Sequence, residues 1–496
     1  MRNILEYLEQ TVRRVPDRVA LSDEAGTLTF RQLYGQARAI GTRLAEAGIF
    51  RRPVVVFMDR QPRTIAAFLG AICGGCYYVP LDARMPRYRI LRILENLEPA
   101  ACICDAATYP QAREIPGMGT LYRYEEMAFG PIDGAALQAV RERQIDTDPI
   151  YIVFTSGSTG IPKGVVGCHR AVIDYIENLS GVLKFDENTR FGNQTPLYFD
   201  ACLKEIIPTL KYGAETHLIP RRLFMQPVKL VEYLNERKIN TLCWVVSALT
   251  FISSLGTFEK VRPAYLRTIA FASEVFPIRQ LKLWQQAAPD ARFINLYGPT
   301  ETTGICCYYE VDRDFGEEET LPIGRPFPNT EIILLDENNR IPPPGEQGEI
   351  CIRGTRLTHG YYGNPEKTAE GFVQNPLNPH YPEYIYRTGD IGKYNARGEL
   401  VFVSRRDHQI KHMGHRIELG EIEAAANTCP GVNACCCVYD GEKQRITLYY
   451  TGDASRLRQD LQERLPRYML PHGLIHLDTM PLTPNGKIDR NALKCR

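Results

Sequence analysis

Apolar positions along the chain follow two periods, which alternate in blocks. Between Thr29 and Gly48, Leu33, Ala37, Ile40, Leu44 and Ala47 fall at helical spacing, with Thr29 and Gln32 set as a capping box and Gly48 as a stop. Short apolar runs of strand length, "VVVFM" at 54–58 and "IYIVF" at 150–154, each lie close to a helical pattern. That alternation predicts βα units around a largely parallel sheet. From about residue 331 the pattern changes to short strands punctuated by Gly and Pro: "EIILLD", "PPPGEQGEICIRG" and "GELVFVSRR". After Asp407 a hairpin through "CCCVYD" and "RITLYYTG", followed by the amphipathic stretch "SRLRQDLQERL", predicts a separate small α+β unit.

A length of 496 residues is too great for one hydrophobic core. The expected organisation is α/β, with an N-terminal domain over 1–406 that includes a β-rich subdomain at about 321–406, and a small domain over 407–496. A net charge of +1 supplies no long-range attraction to nucleic acid or to an anionic membrane, so neither is expected as a partner. The fifteen cysteines are irregularly spaced and include adjacent ones at 435–437, which suits a reducing compartment better than a disulfide framework. The N-terminal stretch is charged throughout and lacks an apolar core with a cleavage site, so a cytoplasmic location is expected.

The densest chemistry lies in "TSGSTGIPKG" at 155–164, directly after an apolar strand. A turn of glycines, small hydroxyls and one lysine presents backbone N–H groups to a polyphosphate without bulky side chains in the way. It is not the G-x-x-x-x-G-K-[ST] loop, because Pro162 and Gly164 fall at the wrong places. In "NLYGPTETT" at 295–303, Glu301 sits beside hydroxyls and a Gly-Pro turn, which suits a Mg²⁺ ligand next to phosphate oxygens. "YRTGD" at 386–390 ends in an aspartate fit to accept ribose hydroxyls. "SRRDHQIKHMGHRIELGEIE" and "TPNGKIDR" complete the set.

With "LTFRQLYGQA" and "LGAICGGCYYVPLD" before them, these blocks resemble, in order and over nearly the whole chain, the adenylate-forming enzymes. The resemblance is to the amino-acid adenylation domains of nonribosomal peptide synthetases and the free-standing D-alanine carrier-protein ligases. It implies an α/β N-terminal domain, a mobile C-terminal domain, and ATP with Mg²⁺ as cofactors. Thr155, Ser156, Gly157, Ser158, Thr159 and Gly160 would wrap the β- and γ-phosphates, and Lys163 would close the loop. Tyr297 would stack on adenine, Thr300 would touch the α-phosphate, Glu301 would hold Mg²⁺, and Asp390 and Arg405 would hold the ribose. Lys487 would bridge carboxylate, ribose and α-phosphate as charge redistributes. Asp407 would be the hinge between two half-reactions: acyl-AMP formation, then transfer to a phosphopantetheine thiol.

By the same resemblance Asp200 in "LYFDACLKE" would pair with the α-ammonium of an amino acid, beside Phe199. Ala201, Lys204, Cys243, Ala270, Ala272, Leu296, Gly304 and Ile305 would line the pocket. Lys204 is open to two readings: inward, it calls for an acidic or polar substrate side chain, and outward it is an ordinary helix lysine. The texture of "CWVVSALTF" and "FASEVFP" is nearest the D-alanine ligases, yet Ala272 and Lys204 depart from them. No carrier-domain serine motif follows "GKIDR", so a phosphopantetheinylated carrier protein is expected in trans. An acyl- or aryl-CoA ligase and a catalytically idle binding protein are the alternative readings.

Overall fold

The computed structural model describes residues 1–157, 160–407, 409–441, 443–483 and 488–494. Two sheets dominate the large domain. In the first, five parallel strands run in the order Thr120–Arg123, Ala101–Cys104, Pro53–Phe57, Tyr77–Leu81 and Pro149–Thr155, and Lys163–Cys168 closes the edge antiparallel. Val55 pairs with Cys102 on one side and Val79 on the other, so Pro53–Phe57 is buried on both faces, as an unbroken apolar run requires. The second sheet has nine strands. Its parallel centre includes Thr241–Val245, Thr268–Ala272 and Arg292–Tyr297, in the register Cys243, Ala270, Ile294.

Helices fill the space between and around these sheets. The helix Phe30–Glu46 starts at Thr29, whose side chain accepts the Gln32 N–H while Gln32 reaches back to Thr29, the capping box expected from sequence. Its apolar stripe packs with Pro62–Cys73 into the largest core, where Leu33, Ile40 and Phe68 meet strand residues such as Val54 and Tyr78. At roughly 25 cal/mol per Å², burial of such side chains stabilises the domain by about 1.5–3 kcal/mol each.

The β-rich part is an antiparallel sheet containing Thr330–Leu335, Gly348–Gly354, Tyr384–Tyr394 and Leu400–Arg405. Beyond it, the hairpin Gln409–His412 with His415–Glu418 leads into the helix Leu419–Asn427 and a three-stranded sheet built from Ala434–Asp440, Arg445–Thr451 and Gly473–His476. The "CCC" run is explained by strand alternation. Cys435 and Cys437 enter the core beside Ile422 and Leu448, while Cys436 faces Val438, Tyr449 and Leu493 on the other side. All described cysteines are free thiols. Among the described residues no helix is long and apolar enough to cross a membrane.

Candidate active site

The Gly/Ser turn joins two antiparallel strands, with Thr155 opposite Lys163. Two glycines are needed there: a Cβ on Gly157 would lie 2.0 Å from the Ile161 carbonyl oxygen, and Gly160 has φ +82°. The donors of the turn face the small domain. The Ser156 hydroxyl donates to the Arg416 carbonyl at 2.9 Å and the Gly157 N–H to Glu421 Oε2 at 3.3 Å. Lys163 Nζ lies 3.7 Å from Glu418 Oε1 and 5.4 Å from the Tyr361 ring centre. Burial, then the Arg416 charge, pulls the Lys163 ammonium below its ordinary value. Thr155 is buried in its strand, and Ser158 and Thr159 lie outside the described residues.

Glu301 lies in a 3₁₀ turn, Thr300–Thr302, and is fully buried. Its oxygens accept from Tyr361 OH at 2.7 Å and Arg416 Nη1 at 2.8 Å. Burial opposes the ionised form, but Arg416 and Lys163 outweigh it and draw the carboxyl down to about 2. Glu301 is therefore an anion already holding a cation. Asp390 and Arg405 are cross-strand partners, and Arg405 Nη1 donates to Asp390 Oδ1 at 2.6 Å while Tyr297 OH donates to Oδ2 at 2.6 Å. The Lys411 ammonium stands 5.4 Å from the Tyr297 ring centre. Asp407 is gripped by Arg405 through two hydrogen bonds of 2.7 Å and accepts the Gln409 N–H at 3.1 Å.

Between these groups lies a cavity of about 130 Å³. The large domain contributes Phe199, Asp200, Ala201, Lys204, Ala272, Thr300, Gly304 and Ile305. The small domain closes it with Lys411, Met413, His415, Arg416 and Tyr468. Asp200 is 7% exposed, and its Oδ2 has no hydrogen-bond partner among the described residues. Burial pushes its carboxyl up to about 6. Gly304 leaves room in front of that oxygen, since a Cβ there would come 3.5 Å from it. Lys204, at the start of the helix Leu203–Tyr212, is 2% exposed and turned into the cavity.

Cys243, Ala270 and Leu296 do not line the cavity, contrary to the expectation from sequence. They are buried in the sheet core, Cys243 and Ala270 each two residues before the strand ends Val245 and Ala272, which do reach it. Ligand crevices in such sheets open beyond the carboxyl ends of the strands, so residues further back lie beneath the floor. Lys487 falls outside the described residues. Of the described residues around it, Leu482 bridges Ile488, Ile488 packs near Cys436 and Val438, and Arg490 pairs with Glu423 at 2.8 Å. None of them lines the cavity.

The hairpin residues Lys411, His415 and Arg416, with Tyr468, were not singled out from sequence. His415 stacks on Tyr468 at 3.9 Å between ring centres and faces Phe199 at 5.3 Å; the tip is fixed by the Gly414 N–H donating to Glu274 Oε1 at 3.0 Å. Only the cluster of cations and glycine in "IKHMGHR" hinted at this.

The family profile described as AMP-binding enzyme matches residues 8–362, and the profile for its C-terminal domain matches 421–487. Tyrocidine synthase 1 of Brevibacillus parabrevis is 31% identical over 99% of this chain, which spans 45% of that protein. Bacitracin synthase 1 of Bacillus licheniformis is 32% identical over 98% of the chain, which spans 9% of it. Among solved structures, that of holo-PA1221, an NRPS protein containing adenylation and PCP domains bound to vinylsulfonamide inhibitor, superposes with a TM-score of 0.84 at 25% identity. The match covers 99% of this chain and 84% of that one. With an oxyanion-type turn, a buried carboxylate pocket and a small second domain closing over both, the chain belongs to the AMP-binding enzymes, a family of AMP-forming ligases.

Proposed function

We propose that the chain activates an amino acid with ATP, releasing pyrophosphate, and passes the aminoacyl group to the phosphopantetheine thiol of a carrier protein. The observation that carries this reading is Asp200: a sealed carboxylate in the cavity with one oxygen unpartnered among the described residues. Burial outweighs the relief that the Lys204 charge gives Asp200, so a second cation at the unpartnered oxygen would be favoured, and an α-ammonium is the cation an amino acid brings.

The other roles follow from position. The turn at 155–160 and Lys163 supply donors to the β- and γ-phosphates. Carboxylate oxygens of Glu418 and Glu421 already approach these donors, which supports their preference for anionic oxygen. Thr300, at the cavity wall, would touch the α-phosphate, and Asp390 with Arg405, which line the same cavity, would hold the ribose; Tyr297, 5% exposed and outside the lining, is tied to Asp390 and is assigned to adenine by the family resemblance alone. Glu301 is ionised and here accepts from Tyr361 and Arg416; with Arg416 withdrawn it would be a free carboxylate able to hold Mg²⁺, which would neutralise charge on the leaving group. A substrate carboxylate needs no general base, so in-line placement and cancellation of phosphate charge are the tasks left to the protein. Lys487 supplies the moving cation for that first step. The hairpin over the cavity supports the second step, reached by rotation about Asp407 between domains meeting near residue 407.

Within this reading the inward Lys204 favours a substrate with an acidic or amide side chain over D-alanine or a plain acyl group. Pyrophosphate exchange across all L- and D-amino acids, with Lys204→Met and Asp200→Asn beside the parent, tests both claims. Exchange that is equal for amino acids and their des-amino counterparts would overturn the assignment of Asp200. Loading of a separately purified carrier tests the second half-reaction.

A further inference from the structure

His415 lines the cavity but has no part in the roles above. It opens the strand His415–Glu418 directly after Gly414, whose φ of +77° turns the hairpin. The Tyr468 ring lies parallel to the imidazole, with 6° between the planes, and Phe199 approaches from the large domain. These two rings fix its orientation by packing, while Nδ1 is buried with no hydrogen-bond partner among the described residues. Phenylalanine would serve that packing as well and leave no polar atom unpaired, so the nitrogen points to a partner that arrives with substrate.

The charges around the ring come from several elements. His412 is its cross-strand partner and Arg416 follows it in the same hairpin. From the large domain, Glu274 holds the adjoining Gly414 N–H, and Asp200 and Lys204 line the same cavity. Lys411 lines it from the hairpin, and Arg89 and Glu421 are the charges felt by Tyr468. Burial first, then His412, holds the imidazole down at about 4, so the ring is neutral and offers a lone pair at every working pH. A bound acyl-adenylate brings a phosphate anion into the cavity, which favours the protonated ring and raises it back toward its ordinary range.

We infer that His415 is the catalytic base of the transfer step: its imidazole accepts the proton of the incoming thiol as the sulfur attacks the acyl carbonyl. The inference rests on the proposed amino-acid and thiol reading of the cavity. A C–S bond forms, and the bond from the acyl carbon to the phosphate oxygen breaks. AMP leaves with both electrons of that bond, and the S–H proton passes to the imidazole and then to water. With an ordinary value of about 8.5, only about 1% of a thiol is ionised at pH 6.5, and the thiolate is the nucleophile. Proton removal at the cavity wall frees the rate from that small fraction.

The test uses the full chain and free pantetheine as the thiol, with the adenylate formed from an amino acid that supports pyrophosphate exchange. Transfer is read as kcat/KM for pantetheine between pH 6.5 and 8.5. In the parent it should change less than about threefold across that window. His415→Phe keeps both ring contacts and removes the lone pair; its rate should climb about tenfold per pH unit, from roughly 10²-fold below the parent at pH 6.5 toward the parent rate at pH 8.5. His415→Gln, polar but without a base, should show the same slope. A structural role alone would lower the rate equally at every pH, so profiles of both variants that run parallel to the parent's would overturn the inference. So would a parent rate that itself climbs tenfold per pH unit, a result that stands even if neither variant folds. A parent that exchanges pyrophosphate but passes nothing to pantetheine also overturns it, whereas a parent that exchanges pyrophosphate with no amino acid overturns the proposed function itself.

Discussion

Asp200→Asn preserves shape and removes one charge, and the structure predicts opposite effects on stability and activity. The folded state holds the Asp200 proton up to about 6, against an ordinary value of 3.8. A raised carboxyl value means that the folded chain retains a proton the unfolded chain has released. Stability therefore falls as pH rises between these two values, and the penalty is complete above about 6. At 1.36 kcal/mol per pH unit, the penalty at neutral pH is ~3 kcal/mol. Asparagine carries no such penalty. The variant should be more stable than the parent at pH 7.5, with the gap closing as pH falls toward 4; thermal melts across pH 4.5–8 measure it. Activity should move the other way, since removing one partner of a buried pair costs about 3–5 kcal/mol, or roughly 10²–10⁴-fold in amino-acid-dependent exchange. A variant that is less stable at pH 7.5, or one that keeps the parent kcat/KM, would refute the reasoning.

Lys204→Met should reduce the preference for an acidic or amide side chain over its apolar isostere by roughly 10²-fold in exchange assays, because the pocket loses its only inward ammonium among the described large-domain residues. Glu301→Gln should lower exchange by about 10²-fold or more and weaken its dependence on Mg²⁺ concentration. It also leaves Arg416 facing a neutral amide, so X-ray scattering should register a population with the small domain undocked. Asp407→Pro removes the N–H, fixes φ and breaks the Arg405 grip; transfer to pantetheine should drop at least about tenfold while exchange stays near the parent rate.

What the sequence made legible was local. The Thr29–Gln32 capping box, the apolar runs that became doubly buried strands, and the turn at 155–164 are written in neighbouring residues. Asp200, Ala201 and Lys204 reach the cavity because one short segment carries all three. Cys243, Ala270 and Leu296 were misjudged by depth: alternation tells which face of a strand a residue occupies, but not how far from the strand end the crevice begins. The closure of the site by the hairpin was legible only as a cluster of cations and a glycine in "IKHMGHR", without the contacts it makes. Gly157 and Glu421 are 264 positions apart, and their meeting depends on how two domains dock rather than on any local pattern.

The central claim is that this fold makes an aminoacyl adenylate at the Asp200 pocket. The most direct measurement is incorporation of labelled pyrophosphate into ATP with Mg²⁺, over the full set of amino acids and their des-amino counterparts. The account predicts incorporation only with a matching amino acid, strongest for an acidic or amide side chain, and its loss in Lys487→Ala. Incorporation with des-amino acids at the same rate, or undiminished incorporation in Lys487→Ala, would contradict it.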